Sequence, residues 1–344
     1  MKDKGSLFYP GDPFDHPGWK DIDKHVRKAK KAKDKNFIGC PFKWLERVLP
    51  RIKSKSQLIV IVLGFVVAWI LLGIIRRSPR RWWFYFWLAS VPIVVFLLFV
   101  TPVVIDPLFF RFEPLQQKDP VLVDQLEKVT QRGGLSIPPD RMFQMDASEK
   151  LKSVNAYVTG VGPSKRVVVW DTTIEKMSIP ETMFTFGHEM GHYVLDHVWK
   201  GIAFACVVMF VLFYFGFRLV NAALNRWAGR WSIRSVSDLA ALPLLLLVIS
   251  ALAFLASPAF NAFSRHLEHQ ADIYGLEVTH GLIPNSADIA ESAFQKIGEL
   301  DLADPNPSEF IKFWLYSHPP MKERIVFARD YHPWDEGKQG KYVK

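Results

Sequence analysis

The segment Gly187-His188-Glu189-Met190-Gly191-His192 carries two imidazoles four residues apart with a carboxylate beside the first. On an α-helix that spacing puts both rings on one face, where their nitrogens can reach a single ion. This is the H-E-x-x-H arrangement of zinc hydrolases. Neutral imidazoles hold zinc without cancelling its charge, so the ion can lower the pKa of a bound water to roughly 7. Glu189, pointing toward the open coordination position, can take that water's proton and pass it on. His188 and His192 are therefore candidate metal ligands, and Glu189 is a candidate general base.

The flanking residues say how such a motif would be held. Ser178-Ile179-Pro180-Glu181 supplies a hydroxyl cap, a proline near the first turn and an acid three residues on, a capping box that starts the helix. From His188 through Phe217 there is no proline, and the only charges after Glu189 are Asp196 and Lys200, so one helix is expected to run from the motif into an apolar stretch. A second apolar stretch ends in Ser264-Arg265-His266-Leu267-Glu268-His269-Gln270-Ala271-Asp272, again without a helix breaker. The two stretches form a hairpin whose same-side ends meet, and this brings Glu268 to the histidine pair as third ligand. Asp272, one turn further on the same face, can accept the second N–H of a metal-bound imidazole. A metzincin would instead place a third histidine at position 198, which is Val198. His197 falls off the metal face of a continuous helix and reads as structural.

The 344 residues are 49% hydrophobic, with 27 Phe and 12 Trp, and their charges are crowded into particular segments, which indicates a membrane protein with polar parts attached. Four stretches are long enough to span a bilayer, outright or with flanking residues: Leu58 to Ile75, Trp82 to Ile105, Gly201 to Phe217 and Leu239 to Phe263. Trp82, Trp83, Trp87, Trp227 and Trp231 fit an interfacial aromatic belt, and Pro92, Pro102, Pro243 and Pro258 are expected to kink their helices. Four spans put residues 1–56, 106–200 and 264–344 on one side. Both short loops are basic, so charge does not set the orientation. Cys40 and Cys206 provide no disulfide framework. The net charge of +9 is explained by basic flanks beside membrane spans, as in Arg27 to Lys33, and no nucleic-acid motif accompanies it.

The expected fold class is mainly α: a multi-pass membrane protein of about four transmembrane helices with a small α+β zincin-like catalytic domain. Its segments are a polar basic amino-terminal segment (1–56), two transmembrane helices (57–105), a region with short strands and the histidine helix (106–200), two more transmembrane helices (201–263), and a region with the third ligand and the carboxy-terminal segment (264–344). Pro120 to Arg132 reads as an amphipathic helix with Leu122, Leu126 and Val129 on one face, stopped by Gly133-Gly134. Extended segments are expected at Arg141 to Met145, Ala156 to Thr159 and Arg166 to Asp171. Ser286 is expected to cap a helix, and the polar tail from Asp335 to be frayed.

Several further stretches occur in order around these residues: Asp106-Pro107-Leu108-Phe109, Asn155-Ala156-Tyr157, Lys165 to Thr172, Ser264-Arg265 with Glu268 and Ala271-Asp272, and Ser317-His318-Pro319-Pro320 with Glu323-Arg324. Together with the His188 motif they resemble the integral-membrane zinc metalloproteases of the CAAX prenyl endopeptidase type, related to the heat-shock membrane proteases of bacteria. The resemblance covers roughly Arg76 to Trp334. It implies one zinc ion per chain on His188, His192 and Glu268, with Glu189 as general base and Asp272 as supporting acid. It also implies contacts of Asn155 and His318 with the substrate carbonyl and developing oxyanion, where single donors are worth ~3 kcal/mol in other hydrolases. The Asn155 segment would serve as an edge strand for extended substrate. The implied activity is cleavage of peptide or protein substrates, lipidated or misfolded, by a multi-pass protein of a bacterial inner or endoplasmic-reticulum-type membrane. Prenyl-type members carry seven membrane helices around a chamber, against four read here. The alternative function class is a non-catalytic membrane scaffold with a structural metal site.

Overall fold

The computed structural model describes residues 72–160, 165–233 and 235–343, with a few positions between 62 and 70. The basic amino-terminal segment and half of the positions of the first expected span lie outside the described residues. The elements below belong to one compact unit, Leu71–Lys344.

Among the described residues three helices are long and apolar enough to cross a membrane. The first, α1 (Trp82–Val100), contains Pro92 and continues through a π-helical turn, Thr101–Ile105, into the short α2 (Asp106–Phe109). A polar region then builds a mixed sheet: β1 (Phe112–Pro114), α3 (Leu115–Lys118), α4 (Pro120–Arg132), β2 (Met142–Met145), β3 (Ala156–Thr159) and β4 (Arg166–Trp170). The sheet order is β1-β2-β4-β3, with β2 and β4 parallel and the outer pairs antiparallel. Val167, Val168 and Val169 are fully buried, so the run of β-branched residues in β4 fills the space on both faces of the sheet. β1 was not among the expected strands. Helix α4 starts where Asp119 accepts a hydrogen bond from the Leu122 N–H at 2.9 Å, and it buries Leu122, Val123, Leu126 and Val129.

After α5 (Asp171–Lys176) comes α6 (Ile179–Val194), which carries His188, Glu189 and His192. The carboxylate of Glu181 accepts hydrogen bonds from the backbone N–H and hydroxyl of Ser178 at 2.7 and 2.8 Å. Helix α6 does not continue into the membrane. It ends at Val194, Asp196 takes a left-handed conformation (φ 56°), and a new helix, α7 (His197–Trp231), begins. This corrects the single-helix expectation, for which no proline or glycine signalled a break. The 35 residues of α7 reach well past the expected limit at Phe217; at ~1.5 Å per residue they extend roughly 50 Å, so Arg226 and Arg230 sit on helix rather than loop. Helix α8 (Leu242–Thr279) returns and delivers Glu268 and Asp272. Pro243 lies in its first turn, where no carbonyl loses a partner, so of the four expected kink sites Pro92 and Pro258 alone lie inside α-helices.

Helices α6 and α8 pack through glycines. A Cβ on Gly275 would stand 3.1 Å from the backbone nitrogen of His188, one on Gly187 2.9 Å from Val278, and one on Gly191 3.0 Å from Tyr274. The chain finishes with α9 (Ser286–Leu300), α10 (Glu309–Leu315) and α11 (Met321–Asp330). Asn285, left-handed at φ 48°, precedes α9, and Ser286 is its first residue rather than its cap. The tail is pinned rather than frayed: backbone N–H groups of Lys341, Tyr342 and Val343 donate to the Glu277 carboxylate, as does the Tyr331 hydroxyl.

Candidate active site

Where α6 meets α8, His188, His192 and Glu268 each offer one ligand atom, all within 4.8 Å of one another. The Nε2 atoms of the two histidines are 3.2 Å apart; Glu268 Oε2 is 3.3 Å from His188 Nε2, and Glu268 Oε1 is 3.5 Å from His192 Nε2. Ligands at 2.0–2.1 Å in a tetrahedron stand ~3.3 Å from each other, so these spacings are those of three vertices around one ion.

The other nitrogen of each ring tells which atoms face that point. His188 Nδ1 lies 2.8 Å from Asp272 Oδ1, so its N–H is directed there and its Nε2 carries a lone pair. His192 Nδ1 lies 3.0 Å from His197 Nδ1, while its Nε2 is turned toward His188 and Glu268. Glu268 Oε2 is buried and has no hydrogen-bond partner among the described residues. Two ring nitrogens and a carboxylate oxygen thus converge on one point, and with both rings neutral and their hydrogens on Nδ1 a cation there satisfies all three. Burial holds the His192 imidazole down to about 3, hence neutral, and pushes the Glu189 carboxyl up to about 7.

Asp272 is almost fully buried and receives two charge-assisted hydrogen bonds from Arg324 of α11, Nη2 to Oδ1 at 2.6 Å and Nε to Oδ2 at 3.0 Å. Arg324 is itself buried, stacks its guanidinium 4.2 Å from the Phe294 ring, and brings Nη2 to 3.4 Å from His188 Nδ1. Sequence reasoning gave Arg324 no role, because 52 residues separate it from Asp272 and no periodicity links them. His197, expected off the metal face, instead touches His192: the break at Asp196 turns the ring back toward the site. Its Nε2 continues to Gln270 Oε1 at 3.1 Å, and Gln270 Nε2 to His266 Nε2 at 2.9 Å.

A pocket of about 880 Å³ opens over these groups, lined among others by Asn155, His188, Glu189, His192, Glu268 and His318. Asp272 lies behind it. Asn155 precedes edge strand β3, its backbone N–H held by the Thr173 hydroxyl at 2.8 Å and its side-chain Oδ1 buried without a partner among the described residues. His318, in the loop between α10 and α11, places Nε2 3.3 Å from Glu268 Oε1, with Nδ1 3.0 Å from the Ser317 hydroxyl. Burial lowers its pKa below the usual histidine value although Glu268 works the other way. All seven residues singled out in the sequence are therefore gathered here: six on the pocket wall, the seventh directly behind His188.

Residues 116–332 match the model of peptidase family M48, and residues 50–111 match that of the CAAX prenyl protease N-terminal region, described as five membrane helices. The chain belongs to peptidase family M48. An uncharacterized metalloprotease, YhfN, of Bacillus subtilis (strain 168) is 39% identical over 255 residues, covering 74% of this chain and 58% of that protein. A CAAX prenyl protease 1 homolog of Dictyostelium discoideum is 32% identical over 276 residues, covering 79% and 62%. The chain spans about six-tenths of the length of these M48 relatives. The crystal structure of S. mikatae Ste24p superposes with a TM-score of 0.65 at 21% identity, covering 91% of this chain and 74% of that one, and so shares its fold. The chain is an integral, multi-pass membrane protein. Membership of M48 implies a bound metal, for which the His188–His192–Glu268 group is suited.

Proposed function

We propose that this chain is a membrane-embedded zinc endopeptidase that cuts peptide bonds of substrates presented at the bilayer surface. The observation that carries the reading is the convergence of two imidazole Nε2 atoms and an unpartnered carboxylate oxygen at the floor of a pocket that also exposes Glu189. A zinc ion held by His188, His192 and Glu268 would supply Lewis acidity and a water of pKa roughly 7. Glu189 takes the proton of the attacking water and returns it to the leaving amine. Asp272, charged and clamped by Arg324, keeps the His188 N–H directed away from the ligand position. The Asn155 amide and the His318 imidazole donate hydrogen bonds to the carbonyl oxygen as it becomes negative, each worth ~3 kcal/mol by analogy with other hydrolases. The free edge of β3 offers backbone groups to an extended substrate.

A structural metal site, the scaffold reading, is closed by four protein ligands, and its carboxylates face no open pocket. Glu189→Gln separates the two. The enzyme requires that this variant retain zinc and lose turnover of an unfolded or lipidated peptide by more than about 100-fold. Equal turnover in variant and wild type would remove Glu189 from its role. The similarity to CAAX prenyl protease 1 homologs favours lipidated substrates within this class. A farnesylated peptide cleaved no faster than its unlipidated twin would favour misfolded membrane proteins instead.

A further inference from the structure

Resting on the metal reading above, we infer that His197 and Gln270 are positioning residues that hold His192 in the one tautomer able to bind the metal. The two histidine ligands are braced differently. His188 turns its spare N–H toward a carboxylate, Asp272, itself fixed by Arg324. His192 has no carboxylate at its Nδ1, and instead meets another imidazole, His197 Nδ1, at 3.0 Å.

An imidazole can donate or accept at that contact, so on its own it would fix nothing. What decides the direction is the far side of His197. Its Nε2 lies 3.1 Å from the Gln270 side-chain oxygen, which only accepts. Nε2 of His197 therefore carries the hydrogen, its Nδ1 is an acceptor, and the His192 Nδ1–H donates to it. The lone pair of His192 is left on Nε2, the atom 3.5 Å from Glu268 Oε1 and 3.2 Å from His188 Nε2.

The Gln270 NH2 faces His266 Nε2 at 2.9 Å, so this amide orientation goes with His266 accepting at that atom. Reversing any link would put a hydrogen on His192 Nε2, pointing into the ligand cluster. His197 is buried, so water cannot substitute for these contacts. Gln270 is half-exposed on α8, so it can be altered without opening the core. A two-residue break between α6 and α7, Leu195 and the left-handed Asp196, is what lets His197 reach back to His192.

The test is zinc affinity of the purified full chain, measured by competition with a chromophoric chelator. Gln270→Met keeps the side-chain length and removes the acceptor; zinc binding is expected to weaken 10–100-fold, the range seen for outer-shell partners of metal ligands. Gln270→Glu restores an acceptor that cannot reverse, and is expected to bind zinc at least as tightly as wild type. Unchanged affinity in Gln270→Met overturns the inference, as does equal weakening in both variants, which would point to packing. Thermal melts of the zinc-free proteins check that each variant folds. His192→Ala is the control for the underlying reading: if it kept full affinity the metal site itself would be wrong, whereas its failure beside a normal Gln270→Met would sink the positioning role alone.

Discussion

Replacing Arg324 by Met should destabilise the protein strongly, and the reason lies in Asp272 rather than in the arginine. The carboxylate is about 1% exposed and is engaged by three donors: Arg324 Nη2 at 2.6 Å, Arg324 Nε at 3.0 Å and His188 Nδ1 at 2.8 Å. Methionine fills much of the volume and keeps the contact with Phe294, but takes away both guanidinium hydrogen bonds. Asp272 is then a buried charge with one neutral donor. Breaking a buried pair from one side costs about 3–5 kcal/mol, against a total domain stability of roughly 5–15 kcal/mol. Taking ~4 kcal/mol, the folding equilibrium shifts by about 10³.

The double variant Arg324→Met, Asp272→Asn removes the charge while leaving an amide oxygen to accept from His188. It should recover most of the loss, because the penalty belongs to the unpaired charge. Urea-dependent pulse proteolysis in detergent, on protein stripped of metal by a chelator, measures this without adding metal-linked stabilisation to the comparison. A loss below about 1 kcal/mol in Arg324→Met, or a double variant no more stable than the single, would refute the reasoning.

The packing of α6 against α8 and two buried carboxylates are also open to test. Gly275→Ala sets a methyl 3.1 Å from the backbone of His188, so α6 and α8 must separate by a few tenths of an ångström. It should lose ~1–3 kcal/mol in unfolding experiments and also weaken zinc binding in the chelator assay. Glu181 is buried, yet hydrogen bonds from Lys296, Ser292 and Ser178 outweigh burial and hold its carboxyl down at about 2. Its folded pKa is depressed, so its stabilisation is complete above the ordinary carboxylate pKa and is lost as pH falls from there through about 2. Glu181→Gln should therefore flatten the acid limb of the stability curve in that window, measured by thermal melts against pH. Glu277→Ala removes the acceptor for the tail backbone, and should make Lys338 and Lys341 sites of rapid trypsin cleavage while the rest of the chain resists.

The part of this architecture legible in the sequence is the part governed by local periodicity. An i, i+4 histidine pair declares its shared face, Ser178 with Glu181 declares a helix start, and uninterrupted apolar runs declare a hairpin whose ends must meet. The last of these is why Glu268 could be brought to His188 across a long stretch of chain. What stayed hidden was set by tertiary contact. Leu195-Asp196 contains neither proline nor glycine, so nothing announced that α6 would stop and that His197 would swing toward His192. Gly187 and Gly191 were visible as letters of the motif, but their need arises only against Tyr274 and Val278 of α8. The polar tail reads as disordered until Glu277 is seen waiting, buried, for its backbone N–H groups.

These hidden contacts share a cause. The ligand cluster is built across two helices that belong to different regions of the chain: α6 is rooted in the sheet domain through β3, whereas α8 is the continuation of a membrane span. A ligand triangle with ~3.3 Å edges tolerates little play between such supports. Glycine contacts set the distance between the helices, Arg324 ties Asp272 of α8 to the strand-side helix through His188, and Gln270 ties α8 to His192 through His197. Each histidine on α6 is thus braced by a residue of α8 one turn or less from the carboxylate that completes the site. Motion of the membrane hairpin relative to the sheet domain therefore acts on both imidazoles and on Glu268 together, which couples the integrity of the metal position to the packing of α8 rather than to α6 alone.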